Sequence, residues 1–195
     1  MATVVFDMSM SLDGFIAGPE MSADLPMGVG GLRLHDWLFT SPAGSRDAEI
    51  ARESTAAVGA AVLGRRMYDF GVGVWNDTPY PVPCFVVTHR PEAERAMSGG
   101  AFMFVPDGIE AAVGRATAAA GDKRVTIMGA DIARQALAAG LVDEIRIQLA
   151  PVLLGAGTRL FDGSRRMPIE LTPVAVIESP LVTHLWYTAP PRGAA

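Results

Sequence analysis

An α/β fold built on a central, mostly parallel sheet with flanking helices, closed by antiparallel C-terminal strands, is what this 195-residue sequence predicts. Three observations carry the prediction. Between residues 47 and 139, short apolar runs alternate with helix-like stretches, the rhythm of strand–helix–strand units whose crossovers make neighbouring strands parallel. Several of those runs, such as Cys84-Phe85-Val86-Val87, are apolar throughout, as strands buried on both faces are. After residue 144 the strand patterns follow one another without helices, which calls for antiparallel partners.

Taken in order, Thr3 to Ser11 reads as the first strand, followed by the Asp13-Gly14 turn, a short apolar step and Gly18-Pro19. Residues 20–34, rich in Gly, Met and Pro, predict a long loop, which compact domains usually keep for function. His35 to Phe39 predicts a short helix, and Asp47 to Val58 a longer one with acidic residues in its first turn. Val62-Leu63 ends a buried strand at Gly64, where a short helix can begin. Phe85 to Thr88 is the next strand, stopped before Pro91. Ala101 to Val105 is another, and the alanine-rich run Ile109 to Ala120 favours a helix. Val125 to Met128 predicts a strand meeting Gly129, and Ile132 to Ala139 the following helix. Glu144 to Ala150 sets Ile145, Ile147 and Leu149 against Arg146 and Gln148, the alternation of a half-buried strand. Residues 151–157 predict a loop, and Leu171 to Glu178 and Val182 to Thr188 the last strands. The expected organisation is one domain over residues 1–189 and a flexible tail over 190–195.

Composition narrows the function classes. Half of the residues are hydrophobic and 19% charged, as in a globular protein. Arg, Asp, Gly or Pro interrupts every apolar run below membrane-spanning length, and the N-terminus enters a strand pattern without a basic leader, so a cytoplasmic protein is expected. The single cysteine, Cys84, excludes an internal disulfide, and in its apolar run it reads as a packed thiol. His35, His89 and His184 show no ligand spacing, so no metal is expected. A formal charge of −5 argues against nucleic-acid binding and leaves local positive surface for a small anion.

Three strand ends carry that positive surface. At Gly64-Arg65-Arg66-Met67 a strand runs through a glycine into two arginines at a helix start, where unpaired N–H groups, the helix dipole and guanidinium forks all favour phosphate. The same residues also suit a plain strand-to-turn junction with solvated arginines. Thr88-His89-Arg90 and Gly129-Ala130-Asp131 follow two other strands, and in open α/β sheets ligands bind beyond such carboxyl ends. A dinucleotide fits: Arg65 with Thr88, His89 and Arg90 can read a third phosphate on the adenosine ribose, and Gly129 can take the pyrophosphate on bare amides. The G-x-G-x-x-G fingerprint is absent, so the arrangement differs from the Rossmann one.

The chain resembles the dihydrofolate reductase-like superfamily, in the branch of the C-terminal reductase domain of the bifunctional riboflavin-biosynthesis deaminase-reductase. The segments that carry the resemblance are Met10-Ser11-Leu12-Asp13-Gly14-Phe15-Ile16-Ala17-Gly18-Pro19, Leu63 to Tyr68, Val86-Val87-Thr88, Gly140 to Glu144 and Ala150 to Phe161, in family order over nearly the whole chain. It implies an NADPH-dependent reductase of a small-molecule substrate, a central mixed sheet and a homodimer. Carried over by position, Ser9 and Ile16 would lie beside the nicotinamide, with Gly18 in a neighbouring flexible loop. Gly64, Arg65, Arg66 and Met67 would contact phosphates and ribose, and Thr88, His89 and Arg90 would surround the adenosine end. Met128, Gly129, Ala130, Asp131 and Ile132 would form the pyrophosphate turn. Two departures stand out in that turn. Met128 replaces the first of two consecutive glycines usual in relatives, so a side chain must be accommodated. Asp131 repels phosphate unless it caps the helix.

Hydride transfer belongs to the cofactor, and the protein must orient the partners and supply a proton. By resemblance to dihydrofolate reductases, whose acid stands on the first helix, Asp36 is the candidate catalytic acid; an acidic residue there also simply stabilises the helix dipole. Trp37 and Phe39 are candidate pocket walls, Met8, Met21 and Met27 candidate cleft residues, and the loop from Pro19 to Leu34 a candidate lid. Arg33, Arg159, Arg165 and Arg166 are candidate partners of a substrate phosphate. No zinc-spaced deaminase segment precedes this domain, so a stand-alone reductase of a small heterocyclic or carbonyl substrate is expected. The alternatives are a non-catalytic dinucleotide-binding homodimer, sensing redox state or acting as a scaffold, and a structural dimer without ligand.

Overall fold

The computed structural model describes residues 2–162 and 168–191. Its first strand, β1 (Val4–Ser11), is followed by the short β2 (Phe15–Ala17), a 3-10 turn over Gly31–His35 and the one-turn helix α1 (Asp36–Thr40). Then come α2 (Arg46–Ala57), β3 (Val58–Gly64), α3 (Arg65–Trp75), β4 (Pro83–Val87), the two-residue β5 (Arg95–Ala96), β6 (Ala101–Val105) and α4 (Gly108–Ala120). The chain ends through β7 (Arg124–Met128), α5 (Ala130–Ala138), β8 (Glu144–Ala150), the two-residue β9 (Thr158–Arg159), β10 (Thr172–Glu178) and β11 (Thr183–Thr188). No helix among the described residues is long and apolar enough to cross a membrane.

Nine strands form one sheet in the order β10-β11-β8-β1-β7-β3-β4-β6-β5, while β2 and β9 pair separately. Strands β8 to β6 across the centre are mutually parallel, and β11, β10 and β5 are antiparallel additions at the edges. One face carries Val4, Phe6, Val62, Val125, Ile127 and Ile145 beneath α4 and α5, whose small buried residues Ala112, Ala116, Ala133 and Ala136 let the helices lie close. The opposite face carries Ala61, Leu63, Cys84, Val86 and Phe102 against α3, with Tyr68 meeting the Phe102 and Phe104 rings edge-on. Burial pushes the Cys84 thiol up to about 12, in keeping with a packed thiol.

The central strands do not stay paired to their ends. β1 follows β7 only from Val4 opposite Val125 to Phe6 opposite Ile127, yet follows β8 as far as Ser11 opposite Ala150. Beyond Phe6 and Ile127 the sheet therefore forks. Asp7 and Met128 are the first residues of the two prongs.

Local structure departs from sequence expectation where tertiary packing decides. The helix expected to be short after Gly64 runs for 11 residues, and α5 starts two residues earlier than its apolar pattern suggested, at Ala130. β8 is not half-buried: Arg146 and Gln148, on its polar face, are 9% and 3% exposed. Arg146 donates to Glu144 Oε2 at 2.9 and 3.1 Å and stacks on the Trp186 ring 4.5 Å away, which allows a guanidinium to lie inside the protein. Near it, α2 brings Asp47 onto His184 of β11, Oδ1 to Nε2 at 3.0 Å, both fully buried. Burial alone pushes the Asp47 carboxyl up, but hydrogen bonds from His184, Ser179 and Ser41 outweigh it and leave the group below its ordinary value.

The loop after β2 is closed on itself rather than open. Gly18 N–H donates to Met27 O and Val29 N–H to Pro19 O, each at 2.8 Å. The backbones cross so closely that a Cβ on Gly18 would lie 1.9 Å from Val29 O, so only glycine fits there. Gly18 is thus a buried anchor of the loop and not a free hinge. The Asp13-Gly14 turn fastens the loop after β8: Asp13 accepts from Ser11 Oγ at 2.6 Å, Gly155 N at 2.7 Å and Leu154 N at 3.1 Å. The Ser11 bond first, then the two amides, hold its carboxyl down at about 2 against the opposing effect of burial. Because the folded value lies below the unfolded one of about 3.9, this contribution is present above pH 4 and fades as pH falls towards 2. Asp13→Asn should melt below the unsubstituted chain at pH 7 and converge on it near pH 2, as thermal melts at both pH values will show.

Candidate functional site

The carboxyl ends of β3, β4, β6 and β7 open into one cavity of about 360 Å³. Three helices begin on its wall: α3 after Gly64, α4 after Asp107 and α5 after Gly129, and none has a side-chain cap bonded to its first N–H groups. Uncapped N–H groups and three dipoles at one place make the cavity attractive to a polyanion. Glycine shapes it twice. Gly129 has φ +89°, a left-handed conformation that disfavours side chains, and a Cβ on Gly64 would press on Ile132 Cγ1 at 3.2 Å.

Most sequence-predicted cofactor residues meet here. Gly64, Arg65, Arg66 and Met67, then Thr88, His89 and Arg90, then Gly129, Ala130, Asp131 and Ile132 all line this cavity. Met128 does not; its side chain packs away, against the cluster of Leu63 and Tyr68, and leaves the turn clear. The Pro106–Gly108 wall was missed by sequence reasoning, although Asp107-Gly108 between a strand and a helix is the same kind of signal as the other three ends.

Ser9, Ile16 and Gly18 stand apart from that cavity, on the β1–β2 side of the fork. Ser9 accepts a hydrogen bond from Trp37 Nε1 at 3.0 Å, and Trp37 lies edge-on to His184, so this tryptophan is core rather than pocket wall. Phe39 is 71% exposed and walls nothing. Asp36 is exposed at the first residue of α1, while the acid at the fork itself is Asp7. It accepts a hydrogen bond from Gln148 Nε2 at 2.5 Å, and burial pushes its carboxyl up against the pull of Gln148, Arg146, Arg124 and His184. Sequence reasoning passed over Asp7, yet an acid inside the apolar run Val4-Val5-Phe6-Asp7-Met8 is the legible signal.

Residues 2–179 match the family model of the RibD C-terminal domain. The chain belongs to the RibD C-terminal domain family. Among solved structures it is similar to a Shewanella sp. PV-4 protein named "Putative riboflavin biosynthesis protein", with TM-score 0.74 and 24% identity over 97% of this chain and 99% of that one. A pyrimidine reductase-like protein of Corynebacterium diphtheriae follows, with TM-score 0.61 and 15% identity over 96% and 92% of the two chains. The Thermotoga maritima diaminohydroxyphosphoribosylaminopyrimidine deaminase/5-amino-6-(5-phosphoribosylamino)uracil reductase matches 96% of this chain with TM-score 0.63 and 12% identity. This chain covers 56% of that bifunctional protein. No curated protein matches the sequence.

Within this RibD C-terminal domain the cations around the cavity are already held by carboxylates. Arg65 donates to Asp69 Oδ1 at 2.7 Å, meets Glu92 at 2.6 Å and reaches Arg90 O at 3.1 Å, while Arg90 itself meets Asp69 at 3.2 Å. The Arg65 guanidinium lies within about 6 Å of the Tyr68 and Phe104 ring centroids, at 5.4 and 5.7 Å, in reach of cation–π attraction. Thr88 is buried and its Oγ1 accepts from Arg90 N–H at 3.0 Å, so it shapes the turn that presents Arg90. Asp131 does not cap α5. It is neutralised by Arg134, which bonds to it closely, and by Arg66 at 3.7 Å, so its charge does not face the cavity alone. Of the arginines considered for a substrate phosphate, Arg159 donates to Asp13 O and stacks on Phe15, Arg33 is exposed, and Arg165 and Arg166 lie outside the described residues.

Proposed function

We propose that this RibD C-terminal domain protein is a reductase that uses NADPH to reduce a small heterocyclic or carbonyl compound. The observation that carries the reading is one cavity, fed by four strand ends and three uncapped helix starts, whose Gly129 wall directly follows Met128 at the fork between β1 and β7. β7 joins the two: its end supplies the Gly129 turn to the cavity and Met128 to the fork. An extended dinucleotide would place its pyrophosphate on the Gly129 and Ala130 amides, with Gly64, Arg66 and Met67 beside phosphate and ribose. The adenosine end would meet Arg65, His89 and Arg90, and the nicotinamide would enter the fork near Ser9 and Ile16, under the loop anchored by Gly18. When bound, the cofactor supplies the hydride; the chain orients it and excludes water. The cytoplasm, where cells keep reduced dinucleotide, is the compartment this reading implies.

The pyrimidine named for the Thermotoga enzyme, 5-amino-6-(5-phosphoribosylamino)uracil, is the first substrate to try. Calorimetry should show NADPH binding more tightly than NADH; heat from neither nucleotide would end the reductase reading. We also propose a homodimer through the outer edge of the sheet, where β10 leaves Val174 and Val176 each 60% exposed beside unpaired strand backbone. Sedimentation should give twice the 20.5 kDa chain mass, falling to one chain in Val174→Lys/Val176→Lys; a monomeric unsubstituted chain would refute the dimer.

A further inference from the structure

We propose that Asp7, at the branch point of β1 and β7, is the proton donor of the reductase, giving its carboxyl proton to the heteroatom of a C=N or C=O bond. This rests on the reading of the fork as the nicotinamide slot.

The geometry has four parts. The β1–β7 ladder stops at Phe6 opposite Ile127, so Asp7 is the first β1 residue to border the gap. Strand alternation puts its side chain on the same face as Ser9, away from the α4–α5 core that receives Phe6 and Met8. Among the described residues its one hydrogen bond is that from Gln148 Nε2 to Oδ1, which leaves Oδ2 for a ligand. The residue is half-buried.

The surroundings also suit a carboxyl that carries a proton. Arg146 of β8, Arg124 of β7 and His184 of β11 all pull towards the ionised form, and Tyr80, from the segment after α3, faces the same charge. Burial nevertheless outweighs them and raises the group above the ordinary carboxylate range. An asparagine would keep the Gln148 bond without that desolvation cost.

In the step itself the acceptor's C=X π pair would take the Asp7 proton at X while carbon gains a hydride, the chemistry the bound dinucleotide would supply. The acceptor would gain the two electrons that the dinucleotide gives up, and the Asp7 carboxylate would regain a proton from water. Gln148 holds the carboxyl in place and is a positioning residue.

The test is Asp7→Asn in the full chain, with four readouts. NADPH affinity by calorimetry should stay within about 3-fold, whereas turnover of 5-amino-6-(5-phosphoribosylamino)uracil should fall by about 100-fold or more, the range of general acid catalysis. With a raised folded pKa, the unsubstituted chain loses stability as pH climbs from about 4 through that value. The variant should therefore melt higher than its parent at pH 8, with the gap closing near pH 4. A ¹³C-aspartate NMR titration should show one carboxyl, absent from the variant, titrating above the others, its midpoint moving when NADPH is added. Wild-type turnover by the variant, or an ordinary Asp7 midpoint indifferent to NADPH, overturns the proposal. Failure of the unsubstituted chain to bind NADPH removes the reductase reading, and this role with it.

Discussion

Arg65→Ala should weaken NADPH binding by about 10- to 100-fold while leaving NADH within a few-fold, measured by calorimetry on the two nucleotides side by side. The figure corresponds to losing charge-assisted hydrogen bonds of about 1.5–3 kcal/mol. Two effects act together. The guanidinium is lost from a site where it sits 5.4 Å from the Tyr68 ring centroid and 5.7 Å from that of Phe104. Asp69 and Glu92, now partly unneutralised, also face the incoming ribose phosphate. Equal weakening of both nucleotides would place Arg65 at the shared pyrophosphate and not at the adenosine ribose. No change in either would remove Arg65 from the cofactor site.

Asp47→Ala should destabilise the fold by about 3 kcal/mol, lowering the melting temperature by about 6–12 °C for a chain of this size. Asp47 is the acceptor for His184, Ser179 and Ser41 at once, and His184 is wholly enclosed, its Nδ1 already without a partner among the described residues. Removing the carboxylate leaves a second ring nitrogen without a bond inside the protein. Asp47→Asn, which can still accept from one neighbour, should recover part of the loss. A melting temperature unchanged in the alanine variant would show that water enters and replaces the carboxylate.

Much of the architecture was legible in the sequence because the strands at its centre are covered on both faces and so read as unbroken apolar runs. Val62-Leu63, Phe85 to Val87 and Val125 to Met128 stand next to one another in the sheet, and their ends converge because parallel strands point the same way. That is why three short motifs far apart in the chain line one cavity. β8 misled for the opposite reason: its alternation is real, but Arg146 is covered by Glu144 and the Trp186 ring and Gln148 bonds Asp7, and neither partner is visible from the strand's own pattern. The two-residue strands β5 and β9 exist only through their partners and carry no periodicity to read. Asp36 is a candidate through resemblance alone, whereas the place of Asp7 at the fork depends on where β7 departs, a tertiary event.

The parting of β1 from β7 has an evolutionary consequence. Along the side of β1 that faces the gap, peptide groups beyond Phe6 lie outside the β1–β7 ladder, so under the proposed reading main-chain N–H and C=O would meet the cofactor with little call on side chains. Recognition written in the main chain places no demand on residue identity, provided the strand keeps its path. Such a site would tolerate substitution on β1 that would ruin a side-chain pocket. Selection can then act on the few side chains that set chemistry and leave the docking surface to geometry.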